Sequence, residues 1–225
     1  MSKIEHSKID NIHFKIEENT DFKIEECYLP GAIISNIEAK DSSLKSSTLI
    51  GSEIDSVKIE NADFSELKLR GSRIKKSSFK FTSFVNADLR CNLFQDVDFT
   101  GVDFTGAILT NSTFINCNFT DAFLAGAECI VGQFINCIFQ PASTNFLSHP
   151  MISAIAMQVA ETEEEKAWAC YIGYAIEKCE DWSNNPMPKA IEKKIVTALA
   201  NSVHINDPIN EKVYKYFKEI ANGIK

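Results

Sequence analysis

Along the first two thirds of this chain an apolar residue returns every five positions. The stretch VDFTGVDFTGAILTNSTFINCNF (97–119) shows it plainly. Five is neither the helical period of about 3.6 nor the strand period of 2. From Ile4 to Phe139 there are 28 positions whose number leaves remainder 4 on division by 5, and 11 are Phe, 7 Leu and 7 Ile. Only Asn19, Ala39 and Cys129 break the rule, and the register never slips. Two residues earlier the side chain is usually small, as at Ser42, Ser47, Ser72, Ala87, Ala107, Ser112 and Cys117. One large and one small inward residue per five can fill a narrow interior without overpacking it. The inward set includes Phe79, Leu89, Phe94, Phe99, Phe104, Leu109, Phe114, Phe119, Phe134 and Phe139.

The pattern resembles the pentapeptide-repeat family, whose motif is A(D/N)LXX. Matching stretches are NADFS (61–65), NADLR (86–90), DVDFT (96–100), GVDFT (101–105) and GAILT (106–110), with TDAFL (120–124) offset by one. The resemblance covers about residues 1–140. It implies a mainly β chain: a right-handed, four-sided parallel β-helix with four pentapeptides per coil, hence about seven coils, followed by a small all-α region. Residues 20 apart should then stack. The columns Ile34, Ile54, Ile74, Phe94, Phe114, Phe134 and Ile59, Phe79, Phe99, Phe119, Phe139 put like on like. The first coil departs, with Glu17 and Asn19 in inward registers and Phe22 in a small-residue slot. It reads either as a capping coil or as a partner-binding end.

The period stops after Phe139. QPASTNFLSHP (140–150) is rich in turn residues. The expected domains are therefore a β-helix over 1–140, a linker over 141–147 and a helical region over 148–225. Ser148 can cap a first helix carrying Ile152, Ile155, Ala156 and Val159. Thr162 with Glu165 makes a capping box that opens a second, whose apolar seam runs Trp168, Ile172, Ala175, Cys179, Trp182. Asn185-Pro186 is expected to start a third helix and Asp207-Pro208 a fourth. The tail should cover the exposed end of the solenoid and offer a dimer or partner contact.

Charge sharpens this picture. The net formal charge of −8 argues against direct binding of nucleic acid. Residues 91–165 contain no Lys or Arg and nine acidic side chains. Placed by register, Asp98, Asp103 and Asp121, with Asp21 and Asp41 lower down, gather near one edge, and with Asp96 they make a candidate partner-binding acidic edge; Lys68, Arg70, Arg73 and Arg90 gather near a basic edge diagonally opposite. Such a rod suits oriented docking to a protein. Outward positions of the last coils are also apolar: Ile108, Ile115, Phe123, Ile130, Val131 and Ile138. Covered by the tail they are packing; uncovered, they mark an interface.

Catalytic and metal motifs are missing from the sequence. The 4 His are scattered, there is no HExxH, GxSxG or phosphate-cradling Gly loop, and the 7 Cys form no CxxC pair. Neither a signal-peptide pattern nor a membrane-length apolar run is present. The expectation is a cytoplasmic, non-catalytic protein-binding scaffold with no cofactor, metal or membrane. The alternative, implied by the resemblance, is a DNA-mimic regulator like the pentapeptide proteins that bind type II topoisomerases and confer quinolone resistance.

Overall fold

The computed structural model of the chain describes residues 2–5, 7–14, 21–124, 126–128, 133–138, 149–177 and 187–202. It separates into two compact units, Met1–Ile138 and Phe139–Lys225.

The first unit is a parallel β-solenoid. Its described strands are β1 (Ser2–Glu5), β2 (His13–Phe14), β3 (Phe22–Glu25), β4 (Ile33–Ser35), β5 (Glu38–Lys40), β6 (Glu53–Asp55), β7 (Lys58–Glu60), β8 (Arg73–Lys75), β9 (Leu93–Gln95), β10 (Thr113–Ile115) and β11 (Gln133–Ile135). Seven of them make one sheet in the order β11-β10-β9-β8-β6-β4-β2. Every pairing is parallel and offset by twenty: Ile34 faces Ile54, Ile74 faces Phe94, and Phe114 faces Phe134. The other three faces are held by shorter ladders and single bridges with the same offset, such as Asp98↔Asn118, Asp103↔Phe123 and Asp88↔Ile108. Four faces of five residues make a coil, so the unbroken stretch 21–124 makes about five turns, and the seven-stranded sheet extends to 13 and 135.

Each face is one short strand, and the corners bend it. Positive φ falls at one position in five, the residue two after the large inward one. Most corners hold Gly, Asn or Asp, which tolerate that region; Glu26, Ser46, Ser56, Glu66, Lys76, Phe81 and Cys91 are the others. The outward residue between the small and the large inward ones carries the ladder. Asp98 N–H donates back to Ser77 O (2.9 Å), and Asp98 O accepts from Phe79 N–H (2.9 Å).

The small inward position does more than make room. At some corners its N–H closes a turn, as Ala107 N–H does to Phe104 O (2.9 Å). At others the N–H points at the next coil, where a hydroxyl or amide oxygen accepts it. Ser52 N–H donates to Ser72 Oγ (3.0 Å), Ser72 N–H to Asn92 Oδ1 (2.8 Å), and Asn92 N–H to Ser112 Oγ (3.1 Å). Serine at these slots therefore satisfies a buried backbone donor that alanine would leave unpaired.

The interior is a stack of large side chains. Phe79, Leu89, Phe94, Phe99, Phe104, Leu109, Phe114, Phe119 and Phe134 are all buried. Phe94, Phe114 and Phe134 stack with near-parallel rings, centroids 4.8 Å apart as in an offset stack, while Phe99 meets Phe94 and Phe104 edge-on at 5.3 Å. Both arrangements suit the ring quadrupole. Phe22 is buried in its small-residue slot. Phe139, Glu17 and Asn19 lie outside the described residues, as does the 141–147 linker.

The second unit contains α1 (His149–Val159), α2 (Glu163–Glu177) and α3 (Lys189–Ser202), with α1 packed against both others. Ile155, Ala156, Ala169, Ile172, Ile195, Val196 and Leu199 are buried. The capping box forms: Thr162 Oγ1 accepts from Glu165 N–H (3.1 Å), and Glu165 Oε2 accepts from Thr162 N–H (3.3 Å) and Glu161 N–H (2.6 Å). Lys194 Nζ of α3 reaches the same carboxylate at 3.0 Å, tying α3 to the start of α2. Trp168 is half-buried and meets Tyr171 edge-on. The third helix begins at Lys189, later than Asn185-Pro186 suggested, because its first closed turn runs from Glu192 N–H to Pro188 O (3.0 Å). Cys179, Trp182 and the stretch expected to form a fourth helix lie outside the described residues.

Candidate functional site

The outer surface of the later coils is built from the same five-residue unit. In DFT and NFT the outward Asp or Asn turns back on its own corner. Asp98 Oδ1 accepts from Thr100 N–H (3.0 Å), Asp103 Oδ1 from Thr105 N–H (2.8 Å), and Asn118 Oδ1 from Thr120 N–H (3.0 Å). This local bond is why the repeat prefers Asp or Asn there. Each such carboxylate thus shapes its corner and also adds charge to the surface.

The predicted acidic residues fall at two corners. With the faces numbered in chain order, the first holds β1 and β3, the second the Tyr28, Thr48, Lys68 and Asp88 column, the third the seven-stranded sheet and the fourth β5 and β7. Asp98 and Asp103 flank the corner between the fourth and first faces, and Asp121 sits at that corner one coil higher. Asp96 does not join them. It occupies the corner between the third and fourth faces, where its positive φ places it and Asn116 of the next coil donates to it at 2.9 Å. Asp98 is further neutralised by Lys80 at 3.1 Å. Burial raises the Asp98 carboxyl, but hydrogen bonds from Thr100 and Lys80 outweigh it and hold the group below the usual range.

Two of the four predicted basic residues, Arg70 and Arg90, are similarly compensated. Arg90 forms a two-pronged pair with Asp88, Nε to Oδ1 at 2.8 Å and Nη2 to Oδ2 at 2.6 Å, and Arg70 approaches the same carboxylate at 3.8 Å. Burial raises Asp88, and the hydrogen bonds and charge of Arg90 reverse that shift. Lys68 faces outward in the column beneath Asp88, and Arg73 lies in β8 on the next face.

A shallow concavity of about 560 Å³ runs along the fourth face, lined in part by Lys40, Lys58, Lys76, Glu38, Glu60 and Asp96. Its charges pair between coils, Lys40 with Glu60 at 2.7 Å and Lys58 with Glu38 at 3.8 Å. Among the described residues no group of His, Cys, Asp and Glu is arranged to hold a metal ion. Cys117 and Cys137 stack in the interior. The Cys137 sulfur and burial push the Cys117 thiol up, so it stays protonated and packs as a small apolar group.

Sequence reasoning missed one residue here. Phe81 is exposed over 59% of its surface at a corner with φ 55°, and its ring lies over Gly101 of the next coil, where any Cβ would overlap it. The signal was legible: Phe81 is a phenylalanine out of the inward register, at a position otherwise favouring Gly, Asn or Asp.

Residues 93–128 match the family model of pentapeptide repeats, in 8 copies. The matched segment, eight pentapeptide repeats, lies in the later coils of the parallel β-solenoid. No curated protein matches the chain in sequence. Similar solved structures include a trypsin-treated variant of QnrB1, a plasmid-mediated fluoroquinolone resistance protein, at 13% identity and TM-score 0.41, covering 77% of this chain and 97% of that one. Full-length QnrB1 is 14% identical with TM-score 0.39, covering 76% and 98%. A pentapeptide repeat protein of the Arabidopsis thaliana thylakoid lumen is 19% identical with TM-score 0.39, covering 58% and 84%. Likenesses this distant say nothing of binding or activity.

Proposed function

We propose that this chain is a non-catalytic protein-binding scaffold that works through the outward side chains of its later coils. One observation carries the reading. From residue 91 to 138 the solenoid presents five carboxylates, Asp96, Asp98, Asp103, Asp121 and Glu128, and no Lys or Arg. The ladder fixes their spacing before any partner arrives. A preset field of one sign speeds and orients encounter with a cationic protein surface. The test compares partners cross-linked in a cell extract by the native chain and by a folded Asp103→Lys, Asp121→Lys variant. Loss of specific partners on charge reversal supports the reading; the same partners at the same yield reject it.

The same cation-free stretch also favours a second reading, a DNA-mimic regulator of a type II topoisomerase. Here the measurement is gyrase supercoiling with increasing protein, with and without a quinolone. Inhibition or drug protection near stoichiometry selects this reading, and no effect at large excess removes it.

A further inference from the structure

The edge between the fourth and first faces carries more than charge. Phe81 stands at that corner with 59% of its surface exposed. A bulky residue at positive φ is a backbone outlier. It persists here because the next corner up is Gly101, whose missing side chain leaves the ring a place to lie. Asp121 takes the following corner in the same column. Beside that column, Asp103 pairs with Phe123, which is 46% exposed. Coils are about 4.8 Å apart, so Phe81 and Phe123 leave the backbone about two coils apart along one edge, and the Phe81 ring lies up over Gly101 toward Phe123's end, with two carboxylates between and beside them. The nearest cation in sequence, Lys80, is directed to Asp98 at 3.1 Å.

An exposed aromatic ring usually loses conformational freedom when it binds. The ring of Phe81 is already seated on Gly101, so that cost is reduced, which is the property of an interface anchor. Resting on the scaffold reading above, we propose that Phe81 and Phe123, with Asp103 and Asp121, form a docking seat for a basic protein segment that carries aliphatic side chains. The rings accept the aliphatic groups and the carboxylates accept the flanking Arg or Lys. Charge complementarity selects this occupant: no cationic side chain follows Arg90 in the described solenoid.

The test uses the full chain and three short peptides, alternating Arg-Leu, Arg-Ser and Glu-Leu, titrated calorimetrically. The Arg-Leu peptide is expected to bind about tenfold tighter than either control. Phe81→Asn, a residue suited to the corner's backbone, should weaken that binding by about tenfold without lowering the melting midpoint. Asp103→Asn with Asp121→Asn should weaken it and flatten its salt dependence. Arg-Ser binding as tightly as Arg-Leu overturns the aromatic seat while leaving charge-directed docking intact. No binding of Arg-Leu, or equal binding of Glu-Leu, also overturns the seat. So does a lowered melting midpoint in Phe81→Asn, which would make the ring a structural staple. Sedimentation supplies the last arm: a native dimer that Phe81→Asn converts to monomer assigns the seat to a second copy and overturns the basic segment. Failure of the scaffold reading shows separately, as unchanged partner capture after charge reversal.

Discussion

The early and late coils share one backbone and differ on both of its surfaces. Inward, residues 21–74 present chiefly aliphatic groups such as Ile24, Ile34, Leu44, Ile54 and Ile59, whereas from Phe79 the large position is mostly Phe. The late rings stack and cross in contact, Phe99 alone meeting Phe79, Phe94, Phe104, Phe114 and Phe119. The early interior retains a small apolar void of about 20 Å³ between Ile24, Ile34, Ile54, Phe64 and their neighbours. Outward, early charges alternate in sign and pair across coils, as Lys40–Glu60 and Lys45–Asp63 do. After Arg90 no Lys or Arg follows in the solenoid. A solenoid permits this division because each coil contacts only its neighbours. The early coils can be electrically neutral while the late coils carry a field, and neither choice disturbs the ladder.

The sharpest break of this comparison is a charge in the aromatic stack. Phe99→Asp is expected to abolish the folded solenoid, since a one-side-chain-wide core gives the carboxylate no partner; circular dichroism showing a folded, equally stable variant refutes the register. A finer version sets Phe99→Ala, expected to cost about 3–5 kcal/mol, against Ile54→Ala beside the early void, expected at the low end of about 2–5 kcal/mol. Equal losses in urea titration would mean the two cores are not packed differently.

Next in size is the hydroxyl ladder. Ser72→Ala leaves Ser52 N–H and Leu49 O without their partner and should cost about 1–3 kcal/mol. Ala107 already fills the equivalent slot with its N–H inside a turn, so the penalty belongs to one corner type and not to the repeat as a whole. A neutral Ser72→Ala would remove that distinction.

Gly101→Ala should cost about 1–2 kcal/mol for positive φ, and more because the new Cβ meets Phe81. Adding Phe81→Gly should recover the clash but not the backbone cost. Additive losses in this cycle would show that the ring does not rest on Gly101.

The smallest effect is on acid stability. The folded Asp88 and Asp98 carboxyls lie below their ordinary values. Their contribution is therefore complete above about pH 4 and is lost as pH falls through the lower folded values. Lys80→Met should shrink that acid-side loss by lifting Asp98 toward its ordinary value, read as a changed slope of melting midpoint against pH below about 4. The early pair Lys40–Glu60 is largely exposed, and breaking it should move stability little.

Much of the solenoid was legible because its period is unlike any other. A large residue every five positions without a slip leaves one way to stack, and Ile34, Ile54, Ile74, Phe94, Phe114 and Phe134 pair in the order their numbers imply. The surface was harder. In the sequence Asp98 and Asp103 are members of one acidic edge, yet each also closes its own turn, and Asp98 finds Lys80 eighteen residues back. That pairing depends on the reach of a lysine across one coil. Asp96 shares their charge, but one corner separates it from the others.

By itself the sequence determined what repeats: which side chain points inward, which is small, and where the cations end. Those follow from spacing, since alternation along a strand and a twenty-residue coil leave each position one direction. Only the tertiary structure decided which outward groups are spoken for and which are presented. It set Arg90 on Asp88, gave the Ser72 hydroxyl a backbone donor to accept, and laid the ring of Phe81 on Gly101. The last two join residues 20 apart across the space between coils and the first joins residues 2 apart at one corner, and their outcome depends on side-chain length and corner geometry, which the one-dimensional period does not contain.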